Sequence, residues 1–236
     1  MSSLFIDSIR ELIFPSECRS CTAPLSSHIG AQLCSPCGDS LEVNLGQRCD
    51  GCDHPLSLKR CAGCKRYGVP WKTIRAPFLY GGKTQELILA YKAAGNYTLA
   101  NLLADLMLQD LEVRRILDNA TLLSFIPLHP RKRFKRGYNQ SRELAKAMSR
   151  KTGIPLKPTL RHLGTRTGQQ NLPKNERLRL TPSVFQPMGL LLEGNLVLID
   201  DVITTGATLR GAARKILEKQ DVGIQCLAFA RSYFAV

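Results

Sequence analysis

Four cysteine pairs at one spacing constrain this chain more than any other feature: Cys18 and Cys21, Cys34 and Cys37, Cys49 and Cys52, Cys61 and Cys64. Each is a CxxC. Two thiolates on one tight turn share a tetrahedral ion, and two such turns complete a four-thiolate shell with no open position, which makes the metal structural. Eight thiolates suit two zinc ions. Disulfides are the weaker explanation in a reducing compartment. A segment of about 50 residues with few large apolar side chains cannot hold a fold by burial alone, whereas zinc binding couples strongly enough to folding to do so. The first four cysteines on one ion and the last four on the other is the expected pairing, although the spacing also allows a nested one. His28 and His54 are surplus to the eight thiolates and read as exposed loop residues. Cys226, inside an apolar run, reads as a small buried hydrophobe.

The composition shifts after Cys64, so a boundary is expected near Val69 to Trp71, with a zinc-ribbon domain over 1–70 and a second domain over 71–236. A run over Ala76 to Tyr80 is strand-like. Thr84 to Ala94, Leu99 to Leu117 and Gln140 to Arg150 have helical periodicity, and Leu122 to Ile126 is a short strand candidate. Leu196 to Ile199 reads as a buried strand, Leu209, Ala212, Ala213, Ile216 and Leu217 as the inner face of a helix, and Val222 to Ala230 as a last strand. Strands alternating with helices predict an α/β fold with a parallel sheet flanked by helices. Between Arg161 and Leu192 periodicity is lost, which reads as a long loop carrying at most a weak strand or two; loops of that length are often functional.

The net charge of +14 is concentrated. Residues 131–179 hold fifteen basic and two acidic side chains, residues 1–130 thirteen and twelve, and residues 180–236 five of each. A local positive field calls for an anionic ligand, and single-stranded DNA is one candidate. The cysteine-rich part has too small a basic excess to indicate a strong phosphate-binding surface of its own. No apolar run approaches the roughly 20 residues that cross a bilayer, and the opening MSSLFIDSIRELIF lacks the marks of a secretory signal, so no membrane is expected and the location reads as cytoplasmic. Phe5, Ile9, Leu12 and Ile13 share a helical face and are expected to pack on the body of the protein.

The most informative stretch for chemistry is VLIDDVITTGAT, Val197 to Thr208. An apolar strand ends in Asp200 and Asp201, a hydroxyl- and glycine-rich loop follows, and an amphipathic helix begins at once. Ligands of an open α/β sheet bind beyond the carboxyl ends of its strands. Thr204, Thr205 and Thr208 offer hydroxyls, Gly206 lets the backbone approach closely, and the N-terminus of the helix that follows presents free N–H groups and a positive dipole to an anion. That pattern describes a monophosphate cradle; without the lysine of a P-loop it is not one for a nucleoside triphosphate. Two adjacent carboxylates suit a cis-diol and can keep a hydrated magnesium nearby. Phosphate and diol together describe a ribose 5-phosphate.

VLIDDVITTGAT resembles the phosphoribosyl pyrophosphate signature of type I phosphoribosyltransferases. Four CxxC pairs, then IPLHPRKRFKRGYNQS at Ile126 to Ser141, then that signature, make nearly the whole chain similar to the ComF/GntX family of competence-associated proteins. The resemblance implies a phosphoribosyltransferase-like sheet behind a double zinc ribbon. It implies that Asp200 and Asp201 contact ribose hydroxyls, that Thr204, Thr205, Gly206, Ala207 and Thr208 hold the 5-phosphate, and that His129 to Arg133, as the loop after an earlier strand, grip pyrophosphate, with Arg131 and Lys132 as the cationic groups. The match is weakest in the long loop. Arg166, Thr167 and Gln169, then Arg177, Leu180, Val184 and Phe185, stand in altered surroundings; Gln169 and Arg177 are the equivalents retained, and the altered positions leave an acceptor site unassigned.

Two functions stay open on these residues. One is a magnesium-dependent protein binding phosphoribosyl pyrophosphate or a ribose 5-phosphate with a transferase site, working in DNA uptake as the resemblance implies. The other is a non-catalytic adaptor that senses a nucleotide or binds DNA, its zinc ribbons and basic segment touching single-stranded DNA or DNA-uptake proteins. No side chain is an evident general base for an acceptor.

Overall fold

The computed structural model describes residues 17–25, 33–55, 61–93, 95–164, 184–189 and 193–232. The N-terminal helix expected around Phe5 to Ile13 lies outside them, as do His28, Arg166, Thr167, Gln169, Arg177 and Leu180.

Short helices α1 (Ser35–Asp39) and α2 (Ala62–Tyr67) carry Cys37 and Cys64, the last cysteines of the second and fourth pairs. Strands β1 (Thr73–Arg75) and β2 (Phe78–Tyr80) come next. The run expected over Ala76 to Tyr80 therefore starts earlier and is cut at Pro77, which has no N–H for a sheet ladder. Helix α3 (Gly82–Lys92) leads through a 3-10 turn to α4 (Leu99–Leu108) and α5 (Leu111–Asp118). One helix was expected over Leu99 to Leu117. Asp110 divides it, because its carboxylate accepts the N–H groups of Glu112 and Val113, both at 3.0 Å, and so starts a new helix.

Strand β3 (Leu122–Phe125) is followed by α6 (Pro130–Arg136) and α7 (Gln140–Thr152), ended by Gly137 and Gly153 in the left-handed conformation. The long loop carries two short strands, β4 (Leu160–His162) and β5 (Phe185–Pro187), paired antiparallel. Strand β6 (Asn195–Ile203), helix α8 (Ala207–Leu217) and strand β7 (Gly223–Ser232) complete the described chain.

The main sheet is parallel, in the order β1-β7-β6-β3, with β2 continuing along the same edge of β7 as β1. Both faces are covered, so its strands read as nearly unbroken apolar runs. Alternate residues divide the core: Leu123, Phe125, Val197, Ile199, Leu227 and Phe229 meet α3, α4, α5 and α7, while Leu196, Leu198, Ile224, Cys226 and Ala228 meet Leu209, Ala212, Ala213 and Ile216 of α8. Cys226 is fully buried, as its apolar surroundings imply.

The cysteine-rich part docks on this sheet through polar contacts. Trp71 donates its indole N–H to the Gly51 carbonyl at 2.9 Å. Buried Arg75 pairs with Asp53 at 3.3 Å and with Asp110 at 2.5 Å, and the Asn44 side-chain amide donates to the carbonyls of Asp53 and Ala76. His54 departs from the expectation of an exposed loop residue: it is only 7% exposed, drawn in because its carbonyl accepts the Cys49 N–H at 2.8 Å and closes the turn between the pairs. Among the described residues, no helix is long and apolar enough to cross a membrane.

Candidate functional site

The cysteines meet in sequential groups. Cys18, Cys21, Cys34 and Cys37 form one tetrad and Cys49, Cys52, Cys61 and Cys64 the other, with all ligand atoms of each within 4.8 Å of one another. Sγ atoms of Cys21 and Cys34, and of Cys52 and Cys61, stand 3.7 Å apart. A tetrahedron of metal–sulfur bonds near 2.3 Å has an edge of about 3.8 Å, so the donor set fits one tetrahedral ion per tetrad, and none of these cysteines is disulfide-bonded. Backbone N–H groups of Cys34 and Cys61 point at the sulfurs of Cys18 and Cys49, at 3.4 and 3.3 Å, in the manner of thiolate-supporting turns. The four cysteines of the second tetrad, with Val69 against them, are the apolar core of their region.

The second constellation lies at the carboxyl end of β6. Pairing with β7 continues to Ile203, so Asp200 and Asp201 sit within the strand rather than just past it. This differs from the expected strand end at Ile199, because β7 remains alongside and supplies partners beyond the apolar run. Asp200 accepts the Ser141 hydroxyl at 2.8 Å and the Asp201 N–H at 2.9 Å. Burial, then the neighbouring Asp201 carboxylate, push Asp200 up to about 8. Asp201 accepts the Val202 N–H and pairs with Lys92 Nζ at 3.0 Å.

The turn from β6 to α8 is made at Gly206, whose φ of +70° suits glycine. Thr204 and Thr208 are exposed, Thr205 and Ala207 half-buried and Gly206 buried. The Thr205 hydroxyl accepts the Ala207 N–H at 3.3 Å. Two arginines hold the turn from beneath: Arg210 donates to the Thr205 carbonyl at 2.6 Å, and Arg231 to the Thr204 carbonyl. With the Thr204 and Thr205 carbonyls directed to arginines, exposed Thr204 and Thr208 flank the start of an eleven-residue helix, a position whose N–H groups can favour an anion.

Sequence reading missed Lys92, Ser141, Arg210 and Arg231. Lys92 ends α3 in YKAAGN, a polar step after an apolar helix that could have flagged it. Ser141 lies in the quoted RGYNQS run, whose neighbours tie α3 to α7: Tyr138 donates to the Tyr91 carbonyl, and Tyr91 donates to the Gln140 carbonyl at 2.6 Å. The two arginines carried no local signal.

Arg131 and Lys132 lie apart from these contacts. The stretch expected as a loop is mostly the helix α6, because His129 caps it through Nδ1, 3.1 Å from the Arg131 N–H, and Pro130 fits its first position. Both cations are exposed and make no ion pair among the described residues. Phe134, between Arg133 and Lys135, is 93% exposed. A cavity of about 820 Å³ opens beside it, lined by Phe134, Tyr138, Arg133, Arg142, Arg161 and His162 among others. His162 packs edge-on against His129, with centroids 5.0 Å apart, which holds the β4–β5 hairpin over α6. Burial and the nearby His129 and Lys132 lower His162 to about 4, so the ring is neutral at ordinary pH.

Together these features define a parallel α/β protein whose sheet carries an acidic pair and a hydroxyl turn at one strand end and a double cysteine-tetrad module against its edge. No family model matches the chain. It is 30% identical over 197 residues, 80% of this chain and 79% of that protein, to "Competence protein ComFC" of Bacillus subtilis (strain 168). It is 27% identical over 237 residues, 94% of this chain and 99% of that protein, to "DNA utilization protein YhgH" of Salmonella typhimurium. Among solved structures, one of an adenine phosphoribosyltransferase aligns at a TM-score of 0.33 and 14% identity, covering 57% of this chain and 70% of that one. The chain belongs to the ComF family of competence-associated proteins.

Proposed function

We propose that the protein binds a ribose 5-phosphate group, as carried by phosphoribosyl pyrophosphate, at the β6–α8 turn, and that it serves the uptake and use of DNA. One observation carries the ligand: the side chains of Asp200 and Asp201 and the N–H groups of the turn lie at the same strand end, with Lys92 and Ser141 holding the two carboxylates. Asp200 and Asp201 take the vicinal hydroxyls and Thr204 to Thr208 take the phosphate. Both carboxylates already have partners, so the residues do not form an open magnesium cage; magnesium would arrive with the phosphate groups of the ligand. The names of the curated relatives, competence and DNA utilization, support the DNA association.

The two tetrads hold zinc, which supplies structure and no open coordination position. The segment 1–70 is the metal module and 71–236 the ligand-binding domain. A cytoplasmic site of action suits eight thiolates kept reduced.

Isothermal titration of the metal-loaded protein with ribose 5-phosphate tests the site. Saturable binding that is lost in the Asp200→Asn plus Asp201→Asn variant supports it, and an absence of heat with the wild type overturns it. Release of pyrophosphate from phosphoribosyl pyrophosphate in the presence of amines or bases would make the protein a transferase; binding without release would make it a sensor.

A second reading has its own observation. Exposed Phe134 within PRKRFKR gives α6 a stacking surface among cations, the combination that binds single-stranded nucleic acid. This surface and the ribose-phosphate site can act in one protein.

A further inference from the structure

We infer that Arg231 couples the second cysteine tetrad to the threonine turn, so that metal held by Cys49, Cys52, Cys61 and Cys64 sets the conformation of the phosphate-binding backbone. The functional meaning of that coupling rests on the ribose-phosphate reading above; the coupling itself does not.

Arg231 is 1% exposed and lies near the end of β7, in register with Ile203 of β6 and Leu79 of β2. Its guanidinium faces two ways. Nη1 donates to the Thr204 carbonyl, and Nη2 points at Cys52 Sγ, 3.6 Å away. Nε has no partner, and Arg231 forms no ion pair with a carboxylate among the described residues. Arg75, the other deeply buried arginine of this region, has three carboxylates, those of Asp53, Asp110 and Glu112. A buried guanidinium without a counter-charge is strongly unfavourable.

The tetrad is the counter-charge within reach, and a bound metal fixes where its sulfurs stand. Four thiolates around one divalent ion carry a formal charge of about −2, and a donor to a ligating sulfur is the usual outer-shell partner of such a site. Without metal the four sulfurs are no longer held on one tetrahedron and Cys52 Sγ loses its fixed place. The guanidinium follows that sulfur, and its bond to Thr204 shifts with it. The first tetrad has no comparable link, since none of its cysteines contacts the turn among the hydrogen bonds of the described residues. Arg231 is thus a positioning residue: it acts on the phosphate site through the Thr204 carbonyl. Linkage makes the effect reciprocal, so a ligand that orders the turn also tightens metal binding at the second tetrad.

Amide hydrogen exchange on the full chain tests this without any ligand. In the metal-loaded wild type, the Ala207 and Arg210 N–H groups, bonded to the Thr205 hydroxyl and the Gly206 carbonyl, should exchange slowly, and chelation should speed them at least tenfold. In Arg231→Gln they should already be fast with metal bound, and one of two metal-release phases, followed with a chromophoric chelator, should quicken about tenfold, within the range usual for loss of an outer-shell partner. Arg231→Lys keeps the charge and should restore the slow release. Turn exchange and metal release in loaded Arg231→Gln that match the wild type overturn the coupling. Should chelation unfold the sheet, seen as lost protection at Leu196 to Ile199, the comparison between loaded proteins still decides. Failure of ribose 5-phosphate to bind the wild type would overturn the proposed function and leave these exchange results standing.

Discussion

Lys92 Nζ lies 3.0 Å from Asp201 Oδ2, joining the end of α3 to the end of β6 across the mouth of the sheet. Asp200, one residue earlier, takes the Ser141 hydroxyl from α7. Three segments distant in sequence thus converge on an acidic pair that a sugar diol can bridge. Replacing both carboxyl groups, as Asp200→Asn plus Asp201→Asn, should abolish ribose 5-phosphate affinity, at least a hundredfold by titration calorimetry. Lys92→Ala frees Asp201 and should weaken binding by a smaller factor, since the lysine positions the carboxylate without belonging to the turn.

The elevated Asp200 value carries a pH signature. Its folded value, about 8, lies above the ordinary carboxylate value of about 4. The folded state therefore binds that proton more tightly, and the stability it confers is full below about pH 4 and lost as pH rises toward 8. Asp201 and the Cys226 thiol face the same group, and Lys92 faces Asp201. Melting curves should show Asp200→Asn gaining on the wild type as pH rises from 4.5 to 8.5; a constant difference across that range would contradict the assignment.

Metal content offers a simple count. Cys18→Ser plus Cys21→Ser should lower the zinc content from two ions to one per chain by elemental analysis, because the tetrads are sequential and share no ligand. A content still at two ions would overturn the assignment of these cysteines as ligands.

Asp110 does two jobs, capping α5 and pairing with buried Arg75. Asp110→Ala loses a cap worth about 1 kcal/mol and leaves Arg75 with Asp53 as its one buried partner; truncating one member of a buried pair costs about 3 to 5 kcal/mol. Chemical denaturation should place the combined loss near the upper part of that range. A loss under about 1 kcal/mol would mean Arg75 reaches water when its partner is removed.

Phe134→Ala should weaken binding of an oligothymidine by about 1 to 3 kcal/mol, the usual value of one stacked base, with the salt dependence unchanged. Arg131→Ala and Lys132→Ala should flatten the salt dependence instead. If neither set alters binding measured by fluorescence anisotropy, α6 is not the nucleic-acid surface.

Much of this was legible in the chain because it is local. A CxxC turn, a strand passing into Asp-Asp, and a Thr-Thr-Gly turn before an amphipathic helix are each written within a dozen residues, and helix and strand periodicities placed most of the sheet. The misplacements also had local causes: the cap at Asp110 split a helix, Pro77 split a strand, and His129 with Pro130 folded a presumed loop into α6. The burial of His54 was not legible, since it follows from the docking of one region on another.

The residues that tune the site belong to the tertiary structure. Ser141 and Asp200 are 59 positions apart, and Cys52 and Arg231 are 179 apart. Parallel pairing of β6 with β7 and the packing of the tetrad against the sheet edge bring them together, and no periodicity encodes either contact. Short-range chemistry is fixed by the spacing of neighbouring side chains along the backbone, so the sequence determined the ligand groups. Buried charges and their partners are decided by which surfaces exclude water when elements pack, and only the folded molecule decides that.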